Sequence, residues 1–223
     1  MMELPFTTEQ FLEVFKTYNT AIWPVQIVAY LLGGLVVYLA YRPTARNDRI
    51  ISLILANFWI WMGVVYHLIF FTSINIAAYG FGLIFIIQGL LFLGVGVWRD
   101  WLKFRFKWDG YGITGAILII YAMLIYPIIG AQLGHGYPYA PMFGVAPCPA
   151  TIFTFGMLLW TTQKIPWWVL VIPGLWSVIG FTAAINLGIL EDMGLLVAGI
   201  LGVGMLLLKE KSSKDLAQKT ENI

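Results

Sequence analysis

Charge is what this chain lacks most. Only 11% of its 223 residues are Asp, Glu, Lys or Arg, while 60% are hydrophobic; a soluble domain carries about 25% charged residues. The shortfall points to lipid as the main solvent. A formal charge of +2 offers nothing for nucleic acid, which is not expected as a partner. One cysteine, Cys148, cannot form an internal disulfide, so oxidative stapling is excluded. Met1-Met2-Glu3 lacks the basic start of a cleaved signal peptide, so the first hydrophobic segment is expected to remain in the mature protein.

What is present is a series of long apolar runs. Seven fall near Ala21–Ala40, Ile50–Phe71, Ile76–Trp98, Gly112–Ala131, Ala150–Thr162, Pro166–Ile185 and Met193–Leu208, each judged against the ~20 residues a helix needs to cross a bilayer. The fold class expected is therefore all-α, a polytopic membrane protein with seven transmembrane helices in a single domain over residues 1–208. No Asp, Glu, Lys or Arg lies inside any of these runs. That excludes a retinal protein, which needs an embedded lysine, and disfavours proton-coupled transport, which uses ionisable groups at bilayer depth.

The connections sort by charge. Arg42, Arg46 and Arg49 follow the first run, and Arg99, Lys103, Arg105 and Lys107 follow the third. Lys164 follows the fifth, and Lys209, Lys211, Lys214 and Lys219 follow the last. Lys16 alone falls on the other side. The positive-inside rule then predicts the N-terminus outside and the C-terminus cytoplasmic, with 209–223 a polar tail. Trp98, Trp101, Trp108, Trp160, Trp167 and Trp168 fall at the inner boundary and Trp23 at the outer one, as an aromatic belt requires.

Thr7-Thr8-Glu9-Gln10 reads as a capping box that starts a short helix within residues 1–20. Phe11, Leu12, Phe15 and Tyr18 share one side of it. That suits an interfacial helix or an arm packed on the bundle. Two stretches, Phe71–Asn75 before Gly80 and Phe181–Asn186 before Gly194, resemble each other. They suggest a parallel three-plus-one-plus-three repeat of the kind found among transporters.

The stretch from Gln132 to Thr154 is the oddest in the chain. It has no charged residue, is broken by seven Gly and Pro residues, and holds Cys148 and His135. The fifth run after it offers only ~20 Å of helix, so part of this stretch is expected at bilayer depth, where irregular backbone must be buried in protein or line a cavity. Pro149 at the first helical position would make Cys148 the cap.

Candidate site residues follow from the same placement. His67, His135 and Cys148, with Thr151 and Asn75, are candidate contacts for a small solute. His67, His135, Cys148, Glu191 and Asp192 form a mixed N, S and O set suited to a zinc or copper ion. Each also has a structural reading. His67 can hydrogen-bond across helices, His135 can be a loop histidine, Cys148 can be an inert thiol, and Glu191 and Asp192 can sit at a helix N-terminus. Asn57 and Gln88 read as interhelical hydrogen-bond partners. Three functions stay open: a small transporter or permeation protein for a neutral solute or soft metal ion, a metal-dependent or thiol redox enzyme at the outer face, and a receptor or assembly factor. A homo-oligomer is compatible with all three.

The segments ELPFTTEQFLEVFKTYNTAIWP, WMGVVYHLIFF, GHGYP, CPATIFTFG and LGILEDMGLLVAG resemble one family across nearly the whole chain. It is the family of bacterial membrane proteins catalogued as domain of unknown function 6064. The resemblance implies a multi-pass protein of the bacterial inner membrane and carries no activity.

Overall fold

In the computed structural model, residues 4–221 are described, with side chains through residue 209. Among the described residues there are eight helices and no strand. α1 is Thr8–Ala21, α2 Val25–Ala40, α3 Ala45–Ser73, α4 Ala78–Trp98, α5 Gly110–Gln132, α6 Pro147–Leu159, α7 Trp167–Leu187 and α8 Leu190–Lys209. The helix of α8 runs on to Glu221; the side chains of Lys211, Lys214 and Lys219, assigned to a polar tail, lie outside the described residues. Five helices are long and apolar enough to cross a membrane, and a sixth if α1 and α2, bent by 86°, count as one span. Large apolar side chains such as Leu31, Ile69 and Ile200 point outward. Water would penalise such a surface and hydrocarbon would not.

The capping box forms as the sequence predicts. Gln10 N–H donates to Thr7 Oγ1 at 3.2 Å, and Thr7 N–H donates back to the Gln10 side chain at 2.9 Å. α1 buries Val14, Phe15, Tyr18 and Asn19 against the bundle. Asn19 explains why. Its Nδ2 donates to the carbonyls of Pro138 and Ala140 at 2.6 and 2.8 Å, and the Tyr18 hydroxyl donates to Val145 O at 2.8 Å. These bonds satisfy the irregular segment between α5 and α6, whose residues 140–146 are almost wholly buried. Gly144 there has φ 75°, and a Cβ would stand 2.8 Å from Ala29 Cβ, so both conformation and space require glycine. An Asn19→Ala variant strands the buried Ala140 carbonyl and the partly buried Pro138 carbonyl, at about 1–3 kcal/mol. Backbone amides of 136–146 should then exchange hydrogen faster than in the parent while those of α8 do not change.

The short apolar helix α6 is the centre of the molecule: all 13 of its residues are buried. An α-helix that is hydrophobic all round belongs in an interior, and its two hydroxyls do not oppose this. Thr151 and Thr154 donate back to the carbonyls of Pro147 and Ala150, each at 2.8 Å. Around it, Trp59 Nε1 of α3 donates to Thr154 Oγ1 at 3.0 Å, and α5 crosses at Gly115 and Gly156 with backbones in contact. Gln88 ties α4 to α7 through the Val169 carbonyl at 3.1 Å, the interhelical role expected of it. Asn57 instead is exposed, because it lies on the outward face of α3.

At the opposite end from α1, the extended segment after α4 pairs with the turn after α6 through a single bridge, Phe104 to Thr161. Asp48 of α3 accepts from Phe104 N–H at 2.9 Å, and Lys103 lies 2.6 Å from Asp100. Of the tryptophans assigned to a belt, Trp23, Trp98, Trp101, Trp108 and Trp167 are exposed and Trp168 is half-buried. Trp160 departs from that pattern. It is buried, and its indole N–H donates to Gly112 O at 2.9 Å, so it fastens α5 to α6.

Candidate functional site

At the α1 end, a cavity of about 300 Å³ opens between the N-terminal arm, α3, α4 and α7. Its walls are almost entirely apolar: Phe6, Phe11 and Phe15 from the arm and α1, Phe71 from α3, Phe81 from α4 and Trp176 from α7. Thr8 pins the arm across it, donating to Leu187 O at 3.0 Å. Pro147, Cys148 and Asp192 meet at its floor, and Asn75, Thr182 and Asn186 are polar residues elsewhere in its lining.

Two elements make that floor. The first is the N-terminus of α6, which begins at Pro147 with Ala146 as its cap. Cys148 is thus the second residue of the helix and not its cap, a correction that follows from which proline occupies the first position. Pro147 and Pro149 have no N–H, Ala150 N–H donates to Ala146 O, and Thr151 lies far enough in to bond within the helix. Of the first-turn amides, the Cys148 N–H is the one the helix cannot use. The second element is the tight turn Leu190–Asp192 at the start of α8.

That turn overturns one expectation. Glu191 and Asp192 are 0% and 3% exposed and belong to the apolar helix Leu190–Lys209, so ionisable residues do lie within a candidate span. Asp192 accepts from the Tyr126 hydroxyl and lies beside the Cys148 thiol. Glu191 faces His135, with Nδ1 to Oε1 at 3.4 Å; its Oε2 has no hydrogen-bond partner, and its backbone carbonyl accepts from Tyr121 at 2.7 Å. α5 delivers Tyr121 from a widened helical stretch, Tyr121–Ile125, and Tyr126 from the residue just after it. Pro127 follows directly and, lacking an N–H, cannot continue the regular ladder.

The candidate residues therefore separate. Cys148 and Asp192 line the floor, and Asn75 lines the cavity near the α3–α4 turn. His135 and Glu191 pair behind the floor. Thr151 is spent on Pro147 inside α6. His67 lies behind the wall, fully buried among the rings of Tyr66, Phe71, Phe81, Phe85 and Trp176, with centroids 4.7–5.9 Å away. Neither of its nitrogens has a partner, so it makes no hydrogen bond across helices. Gly63, one turn before it, admits α4 closely: a Cβ there would stand 2.8 Å from Gly82 O.

The metal reading loses its geometric basis. Among the described residues no three His, Cys, Asp or Glu side chains gather closely enough to hold an ion. His67, His135, Cys148, Glu191 and Asp192 divide into two pairs and a lone imidazole. Tetrahedral zinc or a copper centre needs three or four converging donors.

Sequence reasoning missed Trp176, Tyr66 and the phenylalanines of the N-terminal arm. A signal for Trp176 was available. It sits near the middle of its apolar run, away from either boundary where tryptophan anchors, so its indole N–H needs a partner within the protein or its cavity. No curated protein and no solved structure matches this chain. A family model described as a family of unknown function (DUF6064) matches residues 8–218, nearly the whole chain, and the chain belongs to that family.

Proposed function

We propose that this protein is a seven-span inner-membrane protein, N-terminus outside and C-terminus cytoplasmic, that binds a neutral, mostly apolar solute at its outer face and passes it across the membrane. The cavity beneath the α1 arm is the observation that carries the reading: about 300 Å³, apolar-walled and lined by a few polar side chains. Small-molecule sites have this character, an apolar pocket with a few convergent polar groups. Cys148, Asp192 and Asn75 are the contact residues. His135 and Glu191 support the floor from behind.

Seven crossings follow if α2 spans, with α1 lying across its end at the interface, and if buried α6 spans together with the irregular residues before it. The basic residues near the far end and the cavity at the α1 end then fall on opposite sides, which supports an outward-facing site. α2–α4 and α6–α8 are the two halves of a parallel three-plus-one-plus-three arrangement with α5 as the linker.

Flux decides the transport reading. Proteoliposomes containing the protein should take up neutral apolar solutes faster than protein-free vesicles of the same lipid, and a Cys148→Trp variant, which fills the floor, should slow them to the vesicle rate. No acceleration across a broad neutral panel would sink it. One observation favours a second reading, a receptor or assembly factor that binds without moving its ligand. The cavity at the Arg105 and Lys209 end is separate and holds only about 50 Å³. Saturable solute binding with no flux is the result expected of that reading.

A further inference from the structure

We propose that this chain holds an anionic phospholipid at the end opposite α1, its head-group phosphate seated among Arg105, Lys107 and Lys209. The site is separate from the α1-end cavity and does not depend on what that cavity binds.

Alternation in Lys103-Phe104-Arg105-Phe106-Lys107 places two of the three cations. In extended backbone, successive side chains point to opposite sides. Phe104 is buried and Phe106 half-buried, with the Phe106 ring 5.1 Å from that of Trp160, while Arg105 and Lys107 are exposed. Backbone bonds fix the segment: Arg105 N–H donates to Trp160 O at 2.8 Å, and Thr162 N–H donates to Lys103 O at 2.7 Å. Lys107 is folded onto the start of α5. A Cβ on Gly112 would stand 1.8 Å from Lys107 O, so that close approach requires glycine. The third cation comes from α8: the Lys209 ammonium donates to Thr161 O and lies 4.9 Å from the centre of the Tyr111 ring.

A cavity of about 50 Å³ lies between these elements, lined by all three cations and by one carboxylate, Asp109. The neutral polar groups on its walls are committed. Trp160 Nε1 donates to Gly112 O, the Thr161 hydroxyl to Leu158 O and the Thr162 hydroxyl to Lys103 O. Asp109 accepts from Gly112 N–H at 2.8 Å as the cap of α5. Lys103, next along the segment, pairs with Asp100 and Asp48, whereas among the described residues no salt bridge reaches Arg105 or Lys107. Lys107 and Lys209 are close enough to repel each other. Three cations around one carboxylate leave positive charge in excess, so the complement is an anion. Arginine and lysine N–H groups together suit phosphate oxygens.

Position selects a lipid as the source of that phosphate. α5 and α8 lead away from the pocket with Ile113, Ile117, Leu201 and Leu208 exposed, and Trp108 beside it is exposed as well. Hydrocarbon covers such aliphatic side chains and tryptophan sits at head-group level, so the phosphates of the adjoining leaflet fall at the pocket. Basic pockets at the ends of membrane helices bind acidic head groups for this reason. A zwitterionic lipid would bring a cation of its own to a site that already has three, and an anionic lipid brings none.

Native mass spectrometry of the purified full chain in detergent, titrated with dioleoyl-phosphatidylglycerol or dioleoyl-phosphatidylcholine, reads the affinity of the first lipid retained. Phosphatidylglycerol should bind about tenfold more tightly. Arg105→Gln combined with Lys107→Gln removes two exposed charges and should bring that ratio to about one. Arg42→Gln combined with Arg46→Gln removes as much charge from exposed residues that do not line the pocket, and should leave the ratio unchanged. Equal affinity for the two lipids in the parent overturns the proposal. So does a ratio that falls equally in both variants, since general surface charge would then account for it. Inorganic phosphate at the lipid's own concentration should leave phosphatidylglycerol bound, because it lacks the acyl chains. Displacement at that concentration assigns the pocket to free phosphate and overturns the lipid.

Discussion

A Gly115→Leu variant is expected to lose the assembled fold. At this point α5 and α6 touch backbone to backbone. A Cβ on Gly115 would stand 2.7 Å from Gly156 O and 2.6 Å from Trp160 Nε1, and a Cβ on Gly156 would stand 2.8 Å from Gly115 O. Rigid backbone cannot yield as a flexible side-chain end can. Overpacking a well-filled interior by a few methylenes costs about 1–3 kcal/mol and more where the neighbour is fixed. Leucine here also separates Trp160 from Gly112 O, removing the hydrogen bond that fastens the two helices. Apolar burial does not drive helices together in lipid, so close packing of small residues is a main source of association. α6 is the buried centre, so its displacement moves Cys148 and the cavity floor as well. The variant should elute as aggregate from a sizing column in detergent, or melt well below the parent. Gly204→Leu is the control, since no atom lies within 4 Å of the Cβ position there. Equal behaviour of the two variants would sink this account.

The second large effect has the opposite sign. His67→Phe is expected to stabilise the protein. Both ring nitrogens are buried without partners, and an unsatisfied buried polar atom costs about 1–3 kcal/mol. The surroundings already consist of aromatic rings, of which Phe85 at 4.7 Å and Tyr66 at 5.0 Å are nearest. Phenylalanine retains the ring and its edge-to-face contacts while removing the polar atoms. It adds a little volume, and the overpacking cost of at most a few kcal/mol offsets part of the gain. A net gain of about 1–2 kcal/mol corresponds to roughly 2–8 °C in a chain of this size. Thermal melting in detergent measures it. A lower melting temperature would show that the imidazole has a partner, and His67 would return as a member of the adjoining site.

His67 also illustrates where a sequence stops being informative. Its position in an apolar run is legible from composition, and its helical face follows from spacing. What cannot be read is whether a neighbouring helix brings it a donor, a carbonyl or another ring. Here α4 and α7 bring Phe81, Phe85 and Trp176. Glu191 and Asp192 failed differently. Two adjacent carboxylates before an apolar run resemble a solvated helix start, and the same two residues serve as buried anchors once Tyr121 and Tyr126 close over them.

Local physics is what the sequence determined by itself. The capping box at Thr7 and Gln10, the positions of most apolar helices, the charge asymmetry of their connections and the neutral Gly- and Pro-rich stretch between α5 and α6 all depend on neighbours within a few residues. Tertiary structure alone decided the rest. It put the shortest apolar helix at the centre, drew the N-terminal phenylalanines across a cavity, and divided the proposed metal set into separate pairs. It also set the Trp176 indole N–H beside the Cys148 sulfur. The physical reason is one of range: a helix face is set by residues three and four apart, whereas a hydrogen-bond partner arrives from another segment more than a hundred positions away, as Asn19 meets Pro138.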